Sequence, residues 1–278
     1  MKSYYTAKEA MEKLDLPKST FHYLVRKGDI RKLTLPLRQQ AVYPKQEIDQ
    51  IAQERAAILA EIEATPDRLT FVVPNREDLE QLIEIEQAYY HKKTIIPVEV
   101  IQKRLTYSPE NIHVLKDTKT NQVVGSITMS PIKPDVLKGL INLEMDETQI
   151  QVDDYLPFTL GEPLDCYVVS VIAAQNVAAK YYASRLLVAV VNYLVDLLER
   201  GIDIRRIYTV ATTKEGEHLA QSLHLTSLKT DWQGQYEDFR HAYVLDLENL
   251  HNTSKLVKRF LQKKKNQERR KKRYQQLD

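Results

Sequence analysis

Apolar residues recur along this chain with two different periods, and the switches between them mark out its elements. Ala7, Ala10, Met11 and Leu14 repeat at one-face helical spacing, and Thr6 and Glu9 stand at the separation of a capping box. Asp15-Leu16-Pro17 interrupts the pattern, and its proline suits the first turn of a new helix. In that second helix Phe21, Leu24 and Val25 form the apolar side, and Gly28 stands where helices stop in the left-handed conformation. Ile30 to Tyr43 then reads as two short strands around a turn at Pro36. A third helix follows from Pro44 to Ala64, with Ile48, Ile51, Ala52, Leu59 and Ile62 near a heptad-like seam. That seam either pairs with a second copy, making a homodimer, or packs on its own chain.

Past Thr65-Pro66 the two periods alternate. Strands are expected at Leu69 to Val73, Ile112 to Leu115, Val123 to Met129, Asp165 to Ala173, Arg206 to Val210, Thr226 to Lys229 and His241 to Leu245. Between them fall helices at Arg76 to Tyr90, Pro97 to Leu105, Ala178 to Arg200 and Lys214 to Leu223. The order is that of a mixed α/β sheet and not of a repeat array.

A length of 278 residues exceeds one compact domain, so the reading is an α+β, multi-domain chain. The divisions are a module at 1–52, a helical linker at 53–67, a body at 68–250 and a basic tail at 251–278. The single cysteine, Cys166, cannot make an internal disulfide, and the first residues lack the apolar run of a signal peptide. Both point to the cytoplasm. The most apolar stretch, Leu186 to Val195, is far short of the roughly 20 residues that cross a bilayer, so it is expected to be a core helix.

Charge is close to balanced overall but not locally. Residues 1–60 carry 11 basic and 7 acidic side chains, residues 61–254 carry 18 and 29, and residues 255–278 carry 11 and 2. An acidic body between basic ends is expected where the ends meet a polyanion. The tail, with Lys263-Lys264-Lys265 and Arg269 to Arg273, would add salt-sensitive phosphate contacts.

The polar side of the second helix presents Lys18, Ser19, Thr20, His22, Tyr23, Arg26 and Lys27, and the hairpin after it adds Arg31, Lys32 and Arg38. Cations and hydroxyl donors suit phosphates, and side chains on one helix face reach base edges in a major groove. The run Tyr4-Tyr5-Thr6-Ala7-Lys8-Glu9-Ala10, then Lys18 through Ile30, then Tyr43-Pro44 before an acidic helix, resembles the winged helix-turn-helix of MerR-type and phage-excisionase proteins. The resemblance implies double-stranded DNA as partner, with the second helix in the groove.

In the body, Asn75-Arg76-Glu77-Asp78-Leu79, Asn121 through Ile127 and Tyr167-Val168-Val169-Ser170-Val171, taken with the order of elements, are similar to the GNAT acyltransferase fold. That likeness implies acetyl-CoA or another acyl-CoA, held by backbone amides at the start of the long helix, where the helix dipole favours a pyrophosphate. The implied cofactor residues are Val171, Ala173, Ala178, Lys180, Ala183, Ser184 and Arg185. Tyr181 falls where the family has its first glycine, and Ala183 fits the small second position. Ala220 falls where the family has the tyrosine that protonates the leaving thiolate. His218 and Tyr208 are therefore the substitutes, with Asp165 and Glu144 as candidate bases. No His/Cys cluster has metal-ligand spacing.

Three functions remain open at this point. One is a DNA-binding transcriptional regulator whose GNAT-like body senses a small molecule or mediates assembly. Another is an active N-acetyltransferase that its N-terminal module localises on DNA. The third is an excisionase-like architectural protein whose body serves as an interaction surface without a ligand.

Overall fold

The computed structural model of the chain describes residues 3–34, 40–65, 68–89, 95–228 and 240–248. The Pro36 turn, Arg38 and the basic tail lie outside the described residues. The N-terminal module is β1 (Tyr4–Thr6), α1 (Ala7–Leu14), α2 (Lys18–Lys27), β2 (Val42–Pro44) and the start of α3 (Lys45–Glu63). Its first helix opens on the expected capping box: the Glu9 amide donates to Thr6 Oγ1 at 3.3 Å and the Thr6 amide to Glu9 Oε2 at 2.8 Å. Asp15 (φ 49°) ends α1 and Gly28 (φ 94°) ends α2, both in the left-handed region. Phe21 fills the centre of the module against Ala10, Leu14, Leu24 and Ile48, with its ring edge-on to Tyr43 at 4.9 Å.

Three expectations change here. Leu33 and Val42 form a single antiparallel bridge in place of two hairpin strands. Val42–Pro44 pairs instead with Tyr4–Thr6, a strand too short to show a period. Thr20, expected among the DNA contacts, is buried, because it lies one turn before Leu24 on the same side of α2. The seam of α3 packs on its own chain: Ile48, Ile51 and Ala52 join the module's core, while Ile58 and Leu59 lie against the body.

The body is one seven-stranded sheet. Its strands are β3 (Leu69–Val72), β4 (Ile112–Asp117), β5 (Gln122–Pro131), β6 (Pro163–Ala173), β7 (Asp203–Ala211), β8 (Thr226–Ser227) and β9 (His241–Asp246), in spatial order β3-β4-β5-β6-β7-β9-β8. Every pairing is antiparallel except β6 with β7. This mixed sheet has the order of elements that the GNAT resemblance implies.

Side chains alternate across β6, so Cys166 faces one side and Tyr167 the other. On the Cys166 side lies α7 (Ala179–Glu199), whose Val191, Leu194 and Leu197 are buried against Ile127, Ile204 and Ile207. The long apolar helix is thus the sheet's cover. On the other side lie α4 (Arg76–Tyr89) and α5 (Val98–Tyr107), with Leu79, Leu82 and Ile101 packed on Ile112 and Ile172. The same side holds α6 (Pro134–Ile141), with Leu137 and Leu140 packed near Tyr155 and Tyr167. The sequence reading missed α6, an eight-residue helix that opens on Pro134 and repeats Val136, Leu137, Leu140 and Ile141 at helical spacing. A buried ion pair joins the start of β3 to β4: Arg68 Nε and a terminal nitrogen reach Asp117 at 2.8–3.0 Å. Burial alone would raise the Asp117 carboxyl, but the bonds from Arg68 and the Lys119 amide hold it below its usual range.

Candidate functional site

The parallel pair does not stay together to its end. Register between β6 and β7 runs from Pro163 and Asp203 to Val168 and Thr209 and stops there. Beyond that point β6 stays bonded to β5 as far as Ala173, and β7 to β9 as far as Ala211. The sheet therefore splits between Val169–Ala173 and Val210–Ala211. The cause is local. Ser170 pairs with Thr128 but Val168 pairs with Met129, so Val169 is an extra residue on β6, and a bulge bends the strand that carries it.

The bulge also decides which backbone groups face the opening. The Ala174 amide donates to the Val124 carbonyl at 2.9 Å, so the even-numbered residues 170, 172 and 174 bond to β5. By alternation Val171 and Ala173 turn their amide and carbonyl groups toward the opening. The Ala173 carbonyl is met there by the hydroxyl of Tyr89, which donates to it at 2.6 Å from the end of α4.

Helix α7 starts five residues past the end of this strand. Of its leading amides, Ala178 donates to Asn176 Oδ1 at 2.9 Å and Ala179 to the Asn176 carbonyl at 3.1 Å, while Tyr182 makes the first intrahelical bond to Ala178. Lys180 and Tyr181 are left with amides that no described residue accepts. Gly125 lets this end of the helix approach the sheet: a Cβ there would stand 3.1 Å from the Ile172 carbonyl and 3.3 Å from Leu186 Cδ2. The open strand edge and the positive end of α7 thus adjoin. Crevices at the carboxyl ends of parallel strands are where open α/β sheets take their ligands.

Of the residues expected to hold a cofactor, Val171, Ala173, Ala178 and Lys180 come together at this place. Ala183 lies one turn into α7, with Ser184 and Arg185 exposed beside it. The proposed chemical groups do not gather there. Asp165 lies eight residues before Ala173, about 26 Å along the strand, in ion pairs with Arg205 at 4.0 Å and Arg206 at 3.8 Å. Glu144 is exposed in the turn after α6, where Asn142 bonds to it. His218 is exposed on α8 (Lys214–Ser222), whose Glu217 instead meets His241 and the Tyr243 hydroxyl. Tyr208 sits beside Tyr167 just before the split, half-buried. Ala220 is buried against Ala211 and Tyr243.

Sequence reasoning missed the polar groups that do line this side of the sheet. Tyr89 reads in the sequence only as the end of a helix. Glu86 lies one turn before it on the same face of α4, and burial raises its carboxyl to about 7 against the pull of Arg104. Deeper in, the Tyr167 hydroxyl donates to Glu147 at 2.6 Å, and the Arg104 guanidinium lies 4.8 Å over the ring of Tyr155. Nothing in the pattern of α4 says that the helix ends against β6.

Of the expected DNA contacts, Lys18, Arg26, Lys27, Arg31 and Lys32 are exposed, and Ser19, His22 and Tyr23 are half-buried. Lys27 pairs with Asp29 at 3.1 Å and Arg31 with Glu47 at 2.5 Å, so part of this charge is offset within the chain.

No family model matches the sequence, and no curated protein matches it. Among solved structures the chain is similar to Arabidopsis thaliana NAA60 in complex with acetyl-CoA, at 15% identity over 65% of this chain and 99% of that one, with a TM-score of 0.43. It is similar to the GphF GNAT-like decarboxylase in complex with isobutyryl-CoA, at 13% identity over 64% and 98%, with a TM-score of 0.46. It is also similar to an acetyltransferase of the GNAT family from Staphylococcus aureus Mu50, at 11% over 64% and 98%, with a TM-score of 0.41. The likeness lies in the path of the chain over about two thirds of its length.

Proposed function

We propose that the body, residues 68–250, binds an acyl-CoA and transfers its acyl group to an amine. The observation that carries this reading is the split between β6 and β7 beside the start of α7. An extended ligand with its own amides can pair along an open strand edge as an added strand would, and Val171 and Ala173 supply that edge. The free amides of Lys180 and Tyr181 suit a pyrophosphate at the positive end of the helix. Acyl-CoA supplies the acyl group as a thioester. The chain contributes orientation along β6 and a proton acceptor, Glu86, whose carboxyl exchanges protons near neutral pH. The test is release of free thiol from acetyl-CoA in the presence of primary amines. Thiol release that falls at least tenfold in Glu86→Gln supports the assignment, and thiol release unchanged by that substitution removes Glu86 from it.

The exposed cations Lys18 and Arg26, on one side of α2, favour a second reading. In it residues 1–52 grip double-stranded DNA, the chain acts in the cytoplasm as a transcriptional regulator, and the body is its sensor. Fluorescence anisotropy with duplex DNA tests this: binding should weaken steeply with salt and fall in Lys18→Ala and Arg26→Ala. Affinity indifferent to salt and to both substitutions contradicts it.

A further inference from the structure

The module's first turn lies against the mouth of the body's crevice. Asp15, the left-handed residue between α1 and α2, accepts from Lys180 Nζ at 2.7 Å and from an Arg55 terminal nitrogen at 3.1 Å. Arg55, on α3, donates its Nε to the Val177 carbonyl at 2.8 Å, and its side chain is only 15% exposed. The loop between β6 and α7 is thereby bonded to the N-terminal module on both sides of Ala178. On the apolar side Ile58 and Leu59 of α3 pack with Ala178 and Tyr182, which fixes the approach. Near the same mouth, Tyr23 of α2 is within electrostatic range of Tyr89. A carboxylate of the chain itself thus holds the lysine whose backbone amide is one of the two left open at the start of α7.

We infer that the turn at Asp15 is a built-in plug: its carboxylate holds Lys180 in place of a phosphate of the incoming acyl-CoA, so ligand and docked turn exclude one another. This regulation rests on the acyl-CoA reading above. Lys180 and Asp15 are both about half exposed, and exposed ion pairs are weak. A latch of that strength can be displaced by a ligand with two linked phosphates and several amides to bond. Its coupling to the ligand must also be reciprocal: whatever loosens the turn tightens the ligand by the same factor.

The test uses the full chain and Asp15→Asn, since asparagine keeps the left-handed turn and removes only the charge. Calorimetry with acetyl-CoA should show Asp15→Asn binding about threefold to fivefold more tightly than the parent, the factor that a surface ion pair sets. Pantetheine, which lacks the phosphates, should bind both alike. Hydrogen exchange at residues 12–18 of the parent should speed up when acetyl-CoA binds. Equal acetyl-CoA affinity in the two proteins, or slower exchange of the turn on binding, overturns the plug while leaving the acyl-CoA site standing. No binding to either protein overturns both.

Discussion

Arg55 donates its Nε to the carbonyl oxygen of Val177 at 2.8 Å, across 122 positions of sequence. That one bond ties the helix that leaves the N-terminal module to the loop where the body's split strand becomes its long helix. Hydrogen bonds to charged donors are worth about 1.5–3 kcal/mol, more when truncation leaves a shielded carbonyl without a partner. Arg55→Ala is therefore expected to raise hydrogen exchange and protease sensitivity within α1 and α2 and to leave the sheet's protection unchanged. Equal protection of the module in both proteins would show that the α3 contacts alone hold it down.

Glu86 predicts a pH dependence whose sign is fixed by its position. Burial raises its carboxyl from 4.5 to about 7, so the neutral form fits the fold better than the charged one. Its stabilising contribution is whole below about pH 4.5 and is lost as pH rises through 7. Thermal melts of Glu86→Gln and the parent should agree near pH 4.5 and separate above pH 7, the variant gaining about 3 kcal/mol. A parent that is as stable as the variant at pH 8 would place the carboxylate in water.

His113 works in the opposite direction. It is buried on β4, stacked on Phe71 at 4.8 Å and 4.1 Å from the ring of Tyr193, and burial lowers it from 6.5 to about 4. Its neutral form contributes stability that is whole above pH 6.5 and lost as pH falls toward and through 4. His113→Phe should flatten the loss of melting temperature between pH 6.5 and 4.5 by an amount equivalent to about 2–3 kcal/mol. An acid limb of unchanged steepness would assign the loss to other groups.

Much of the sheet was legible because most strands of the body are long enough to alternate and its longer helices long enough to show their stripe. Leu69–Val72, Asp203–Ala211 and Ala179–Glu199 fall within three residues of the expected ends. What eluded the sequence was short or depended on contact. Tyr4–Thr6 has three residues, and its partner strand lies 38 positions away. The expected acids and bases rest on residue type near the one aligned position, Ala220, and the backbone puts His218 in solvent and Asp165 at the closed end of the parallel pair. The side chain that does reach the split, Tyr89, comes from a helix whose docking no local pattern encodes. Val171 and Ala173 were implied by the resemblance alone, because what they offer the opening is backbone, which any residue supplies, and it is the bulge at Val169 that sets which way it faces.

The central claim is that the unpaired edge of β6 accepts acyl-CoA, and Val171→Pro addresses it directly. Proline removes the Val171 amide, one of the two that face the opening, and spares the bonds of residues 170 and 172 to β5. Isothermal calorimetry with acetyl-CoA, run beside circular dichroism to verify the sheet, is the measurement. The parent should bind with a dissociation constant on the order of 10–100 μM, and the folded Val171→Pro protein at least tenfold more weakly. A parent that takes up no heat at about 1 mM ligand, or a folded variant that binds as the parent does, would contradict the account.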